Sequence, residues 1–148
     1  MVSLKQLSNQ DLTSFDAVFF PGGHGPMVDM LKNPDVARVL QHFHKNNKTT
    51  ALVCHAPAVL TSTAGHDFPY RGYKVTAFTD TEENQTPVGP KMKTTPQREL
   101  TKAGAVFVEG PAWQPHVLED RELITGQNPA SSKPIAEALI KRLSGPGA

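Results

Sequence analysis

The stretch Thr49-Thr50-Ala51-Leu52-Val53-Cys54-His55-Ala56-Pro57 decides how this chain folds. Its first five residues are β-branched or apolar, which fits a strand buried on both faces, as in a parallel sheet. The strand runs directly into Cys54 and His55, and Ala58, Val59 and Leu60 predict a helix that follows at once and ends before Gly65. In open α/β sheets, ligands bind beyond the carboxyl ends of the strands. Cys54 stands at such an end. The positive end of the helix dipole and the unpaired first-turn N–H groups are expected to favour its thiolate, the nucleophilic form. A strand-nucleophile-helix turn of this kind is the elbow known from hydrolases. Ala56 suits the small position two residues after the nucleophile, whereas Leu52 stands where glycine is usual.

The same grammar extends in both directions. Upstream, Asp16–Phe20 is a short, mostly apolar strand closed by Pro21-Gly22-Gly23-His24-Gly25. Asn33-Pro34 then reads as N-cap and first helical residue, with Val36, Val39, Leu40 and Phe43 on one apolar stripe and a stop at Asn46-Asn47. Downstream, Lys74–Phe78 alternates as a third strand, and Thr95-Pro96 opens a helix through Leu100 that Gly104 closes. Ala105–Val108 and Leu123–Thr125 are further strands. Asn128-Pro129 repeats the cap signal before a final helix carrying Ile135, Ala138, Leu139 and Leu143. Strand and helix in this rhythm predict one α/β domain over residues 1–148 with a mainly parallel sheet. Residues 1–15 read as irregular and 144–148 as a frayed tail. Tyr70–Tyr73 and Asp80–Pro96 are the longest irregular stretches, where sites tend to lie.

Composition excludes several classes of function. With 148 residues and 15 basic against 14 acidic side chains, the net charge is +1, which leaves no electrostatic footprint for nucleic acid or an anionic membrane. No apolar run approaches the roughly 20 residues that span a bilayer. The start lacks the pattern of a signal peptide, and a single cysteine cannot form an internal disulfide, so a cytoplasmic location is expected.

Taken alone, Cys54 reads more readily as a small core hydrophobe, the usual fate of a lone cysteine, than as a catalytic residue. Its neighbours favour chemistry. His55 supplies an adjacent imidazole as base. Glu82 and Glu83, just past the third strand, are both placed to orient that imidazole. The glycines after the first strand let main-chain N–H groups approach a ligand. Elsewhere, His42 and His44 point to different faces of a helix and read as solvated rather than as a metal pair. His66-Asp67 reads as a loop. Pro111-Ala112-Trp113-Gln114-Pro115-His116 reads as a packed loop, with a place in a cleft wall as the competing view. The glycine loop has neither the lysine of a P-loop nor the dinucleotide spacing.

Four stretches together resemble the ThiJ/PfpI superfamily, related to class I glutamine amidotransferases, and within it the heat-shock chaperone and glyoxalase III branch. They are Phe19-Phe20-Pro21-Gly22-Gly23-His24-Gly25, Ala51–Pro57, Ala77–Asp80 with Glu82-Glu83 and Gln85–Pro87, and Leu123–Ser131, in the family's order. The resemblance implies a flavodoxin-like, doubly wound sheet with helices on both faces. It implies Cys54 as nucleophile, His55 as triad histidine and Glu83 as triad acid, with Glu82 and Asp80 as rivals. Gly22, Gly23 and His24 would form the oxyanion and substrate side, with N–H groups of Gly23 and His55 as donors. It also implies a glutathione-independent conversion of methylglyoxal and related 2-oxoaldehydes to 2-hydroxy acids through a Cys54 hemithioacetal, with no metal or organic cofactor, alongside chaperone or deglycase activity. A cysteine hydrolase of the amidase or peptidase type and a non-catalytic holdase for unfolded clients are the alternatives, and a reactive thiol would also oxidise to sulfinic acid. Family members carry a further strand-helix-strand portion ahead of the glycine loop, including a glutamate beside the nucleophile. This chain therefore reads as N-terminally shortened, and a homo-oligomer or a second polypeptide is expected to complete it.

Overall fold

Strand β1 (Ala17–Phe20) pairs in parallel with β2 (Thr49–Val53), placing Phe20 opposite Leu52. The computed structural model describes residues 1–65 and 67–145. Beyond β2 the sheet continues with β6 (Leu123–Gly126), parallel, and β5 (Val117–Asp120), antiparallel, in the order β1-β2-β6-β5. Two short strands, β3 (Lys74–Val75) and β4 (Val106–Phe107), form a separate parallel pair.

Alternation along β2 divides the core. Leu52 joins Phe20, Leu123 and the stripe Val36, Val39, Leu40 and Phe43 of helix α2 (Pro34–Lys45) on one face. Ala51 and Val53 join Ile124 and Ile135 of helix α5 (Ser132–Ser144) on the other. Each large apolar side chain so buried contributes about 1.5–3 kcal/mol. Both faces are thus covered, and the mainly parallel α/β sheet is as expected. Helix α4 (Pro96–Ala103) is capped by Thr95 Oγ1, which accepts from the Arg98 N–H, and ends at Gly104 with φ 108°.

Several expectations are corrected. Residues 1–15 are not irregular: they hold a 3₁₀ turn at Leu4–Gln6 and helix α1 (Asn9–Leu12), whose Ser8 and Asp11 cap each other. Leu12 is buried against α2, Arg38 donates to Leu4 O, and Lys48 donates to Thr13 O and Phe15 O, which latches the segment down. The third strand stops at Val75 because the Thr76 N–H turns to the Thr125 hydroxyl. Asn128 does not cap a helix with its side chain, which is drawn into a buried polar cluster instead. Helix α5 runs through Ser144, and Leu143 is exposed rather than packed. His44 is not solvated but bonds Glu122 at 2.8 Å, while His42 Nε2 is buried without a hydrogen-bond partner among the described residues. Of the expected His66-Asp67 loop only Asp67, in a bend, is described, and residues 146–148 of the expected tail lie outside the described residues.

Candidate active site

Cys54 follows β2 with φ 64°, a left-handed conformation that a non-glycine residue adopts at about 1–3 kcal/mol. Hydrogen bonds hold it there. Its N–H donates to Gly126 O at 2.9 Å, and its carbonyl accepts from the Phe78 N–H at 2.8 Å. The chain then enters a 3₁₀ segment, Ala56–Thr63, with His55 at its N-cap. This is the expected elbow, with a 3₁₀ coil in place of an α-helix. Gly22 allows the loop after β1 to press on it, since a Cβ there would come within 2.7 Å of Cys54 Cβ. Gly23 turns away at φ 92°.

Cys54, His55 and Glu83 form a file. Cys54 Sγ lies 3.2 Å from His55 Nδ1, and His55 Nε2 lies 2.5 Å from Glu83 Oε2. Glu83 sits on the one-turn helix α3 (Asp80–Glu83), opened by Thr79. Consecutive residues on a helix diverge by about 100°, so Glu82 points elsewhere. Glu82 Oε1 accepts from Thr79 and Gln127, and its Oε2 accepts from the Trp113 N–H and from Asn128. Asp80 bonds Thr95 and lies 3.5 Å from Arg98. Of the three carboxylates considered, Glu83 alone is bonded to His55. The other Glu83 oxygen, Oε1, lies 3.0 Å from His24 Nε2. His24, expected on the substrate side, therefore has one ring nitrogen engaged by the Glu83 carboxylate. The Phe78 ring covers His55, centroid to centroid 4.5 Å, and Trp113 packs edge-on against Phe78 at 5.4 Å.

Electrostatics correct the expectation of a resting thiolate. Cys54 is only 8% exposed. Burial pushes its thiol up to about 11; N–H groups of Gly23 and His55 aimed at the sulfur pull it down by less, and the charges of Glu82 and Glu83 add to the rise. At neutral pH the sulfur is a thiol. Burial also holds His55 below the usual imidazole range, against the upward pull of Glu83. Burial would raise Glu83, but hydrogen bonds from His24 and His55 outweigh it and hold its carboxyl low. The resting file is thus thiol, neutral imidazole and carboxylate. The Nδ1 lone pair faces the sulfur and the Nε2–H faces Glu83, an arrangement that is chemically able to accept the thiol proton.

Among the described residues, His24, His55 and Glu83 are the one set of three His, Cys, Asp or Glu side chains whose donor atoms lie within 4.8 Å of one another. Those atoms are already bonded to each other, so a cation would have to displace both contacts. Two features escape sequence reasoning: the Glu82 cluster, which fixes Trp113 and Asn128, and the sharing of Glu83 by two imidazoles. No spacing rule signals either, because the partners come from four separate parts of the chain. No helix is long and apolar enough to cross a membrane among the described residues.

Comparison with known proteins agrees with this fold. Protein/nucleic acid deglycase HchA of Escherichia coli O7:K1 is 30% identical over 135 residues, which is 88% of this chain and 47% of the relative. The chain spans about half the length of the curated relatives it matches. Among solved structures, the 24 kDa rapid encystment protein of Francisella tularensis superposes with a TM-score of 0.89 at 27% identity, covering 97% of this chain and 64% of that one. Glyoxalase III of Candida albicans gives a TM-score of 0.82 at 27% identity, covering 93% and 59%. The DJ-1/PfpI family profile matches residues 2–142. Over residues 2–142, from the first 3₁₀ turn into α5, this chain belongs to the DJ-1/PfpI family.

Proposed function

We propose that the site converts methylglyoxal and related 2-oxoaldehydes to 2-hydroxy acids without glutathione. The observation that carries this reading is the unbroken file Cys54 Sγ, His55 and Glu83, at 3.2 and 2.5 Å. As Sγ bonds to the aldehyde carbon, its proton passes to His55 Nδ1 and on to the aldehyde oxygen, giving a hemithioacetal. N–H groups of Gly23 and His55, directed at the sulfur, stabilise the oxygen as it becomes negative, and Gly22 gives the loop its close approach. A base removes the carbon-bound proton, and the neighbouring carbon is reprotonated, leaving a thioester of the 2-hydroxy acid. Water cleaves it and restores the thiol. The aldehyde carbon is oxidised and the ketone carbon reduced, so the balance closes on 2-oxoaldehyde plus water with no external redox partner. The names of the relatives, a deglycase and a glyoxalase III, support this chemistry.

Replacing Cys54 with alanine or serine and following methylglyoxal loss and lactate formation tests it. Activity is expected to vanish, and an unchanged rate would remove the proposal. A hydrolytic reading uses the same groups and is favoured by the paired N–H donors at the sulfur. It predicts a trapped acyl-enzyme with amide or ester substrates. A holdase role would survive loss of Cys54. The open side of β1, with Phe15 and Phe19 exposed, supports association with a second copy or with another polypeptide. A lone thiol fits a reducing, cytoplasmic setting.

A further inference from the structure

Glu83 is buried, and each of its oxygens meets a different imidazole. Oε2 bonds the Nε2 of His55, a ring 1% exposed, and Oε1 bonds the Nε2 of His24, whose side chain is 35% exposed. The two rings lie 4.1 Å apart, tilted by 43°. Thr86 Oγ1 adds a weaker contact to Oε1 at 3.3 Å. An orienting carboxylate needs one imidazole; here its second oxygen is given to a second, solvent-reaching one. We propose that His24 is a positioning residue, which fixes the Glu83 carboxylate for His55 and couples the protonation of the two rings through it.

This rests on the Cys54, His55 and Glu83 reading above. The physical argument has two parts. A carboxylate with one partner can swing about its last torsion, whereas one held at both oxygens has a single orientation, and Oε2 stays directed at His55. Second, one negative charge lies between two rings that can both become positive. Once one ring is charged, the other gains a proton less readily, so the pair titrates as a unit. The ionisable groups facing His55 are Cys54 at Nδ1, Glu83 at Nε2, Glu82 through space and the His24 ring; Phe78 covers its face. A positive charge on the His24 ring, 4.1 Å away, opposes protonation of His55 and keeps the buried imidazole neutral, and thus able to accept the thiol proton, to lower pH.

The test uses the full chain and three variants. His24→Gln keeps an N–H for Oε1 but has no charge; His24→Arg keeps both donor and charge; His24→Ala keeps neither. Ring-nitrogen NMR titration of the histidines reads His55 directly, and kcat and KM for methylglyoxal are followed against pH. In His24→Gln the His55 midpoint and the acid limb of kcat/KM are expected to rise by about half a pH unit or more, as the titration narrows to a single proton. In His24→Arg both stay at or below the wild-type position. His24→Ala is expected to lower kcat by about tenfold or more with KM little changed. A residue that only packs would lower thermal stability without ranking Gln above Arg, and equal His55 midpoints in those two variants would overturn the proposal. If the midpoints rank as expected while Cys54→Ala still consumes methylglyoxal, the coupling stands and the glyoxalase reading falls. If Cys54 is essential and the midpoints do not rank, the reverse holds.

Discussion

At the scale of single residues, the proposed reaction starts from a protonated Cys54 with a neutral imidazole, His55, placed against it. A buried thiol pushed up to about 11 attacks at neutral pH only with His55 taking the proton, and His55 is in the right tautomer only while Glu83 accepts from Nε2. Glu83→Gln keeps the shape but presents an amide that can donate to Nε2, favouring the opposite tautomer. Its kcat is expected to fall by about 10²–10⁴-fold with little change in thermal stability, measured with methylglyoxal. A fall of less than twofold would show that Glu83 does not orient the base. The meeting of Cys54 with His55 was legible because strand, cysteine and histidine are contiguous. The choice among Asp80, Glu82 and Glu83 was not legible from the residues alone. It depends on which side of a single helical turn faces the elbow, and pattern within four residues does not define that. The direction of the thiol's shift was also hidden, since helix-end N–H groups and burial oppose each other and only the packed structure shows that burial wins.

At the scale of elements, long-range polar contacts decide what local signals leave open. The strand β5 carries no flanking glycine, proline or asparagine at its turn into β6. Arg121, with φ 55°, makes that turn instead, so the hairpin is silent in sequence. The long strands, α2 and α4 were legible because their caps and apolar stripes are local. Glu82 ties the pieces together, joining α3 to the Trp113 loop and to Gln127 and Asn128 beyond β6. Removing it leaves the Thr79 and Trp113 main-chain N–H groups without their acceptor and takes one acceptor from each of the buried Gln127 and Asn128 amides, which keep Gly110 O, Pro111 O and Gln114 O. Glu82→Ala is therefore expected to cost about 3 kcal/mol or more in urea unfolding, and to lower activity through displacement of Phe78 and Trp113. A loss below about 1 kcal/mol would mean the cluster relaxes onto water. Gly22→Ala probes a different joint. The added methyl meets Cys54 Cβ at 2.7 Å, so the glycine loop must retreat from the sulfur. Activity is expected to drop more than stability, which overpacking lowers by about 1–3 kcal/mol.

At the scale of the whole molecule, the buried ionisable groups set a pH window. His55 and Glu83 are held low in the folded chain, so the unfolded chain binds more protons in acid; stability is full above about pH 6.5 and declines as pH falls, through His55 and then through Glu83. Cys54 is held high, so the unfolded chain releases its proton first, and stability declines from about pH 9 toward 11. Thermal melts against pH should show a plateau between these limits, and Cys54→Ala should remove the onset of the alkaline decline, leaving a later part from buried Tyr73, whose phenol is raised to about 12. The same melts are to be made at several concentrations, because the sheet is open at β1. Among the described residues that strand pairs only with β2, Phe19 on it is 42% exposed, and Phe15 beside it is 46% exposed. A cavity of about 120 Å³ below them is lined by Leu4, Leu7, Leu12, Val18, Val39 and Phe43, among others. An unpaired edge next to exposed aromatics favours pairing with another strand. Sedimentation of this 16.1 kDa chain is expected to show reversible association at tens of micromolar. Phe19→Lys, which sets a charge on that edge, is expected to shift the distribution toward monomer without altering the Cys54–His55–Glu83 file. A monomer at all concentrations, for both proteins, would mean that α1 and the latched residues before β1 protect the edge sufficiently.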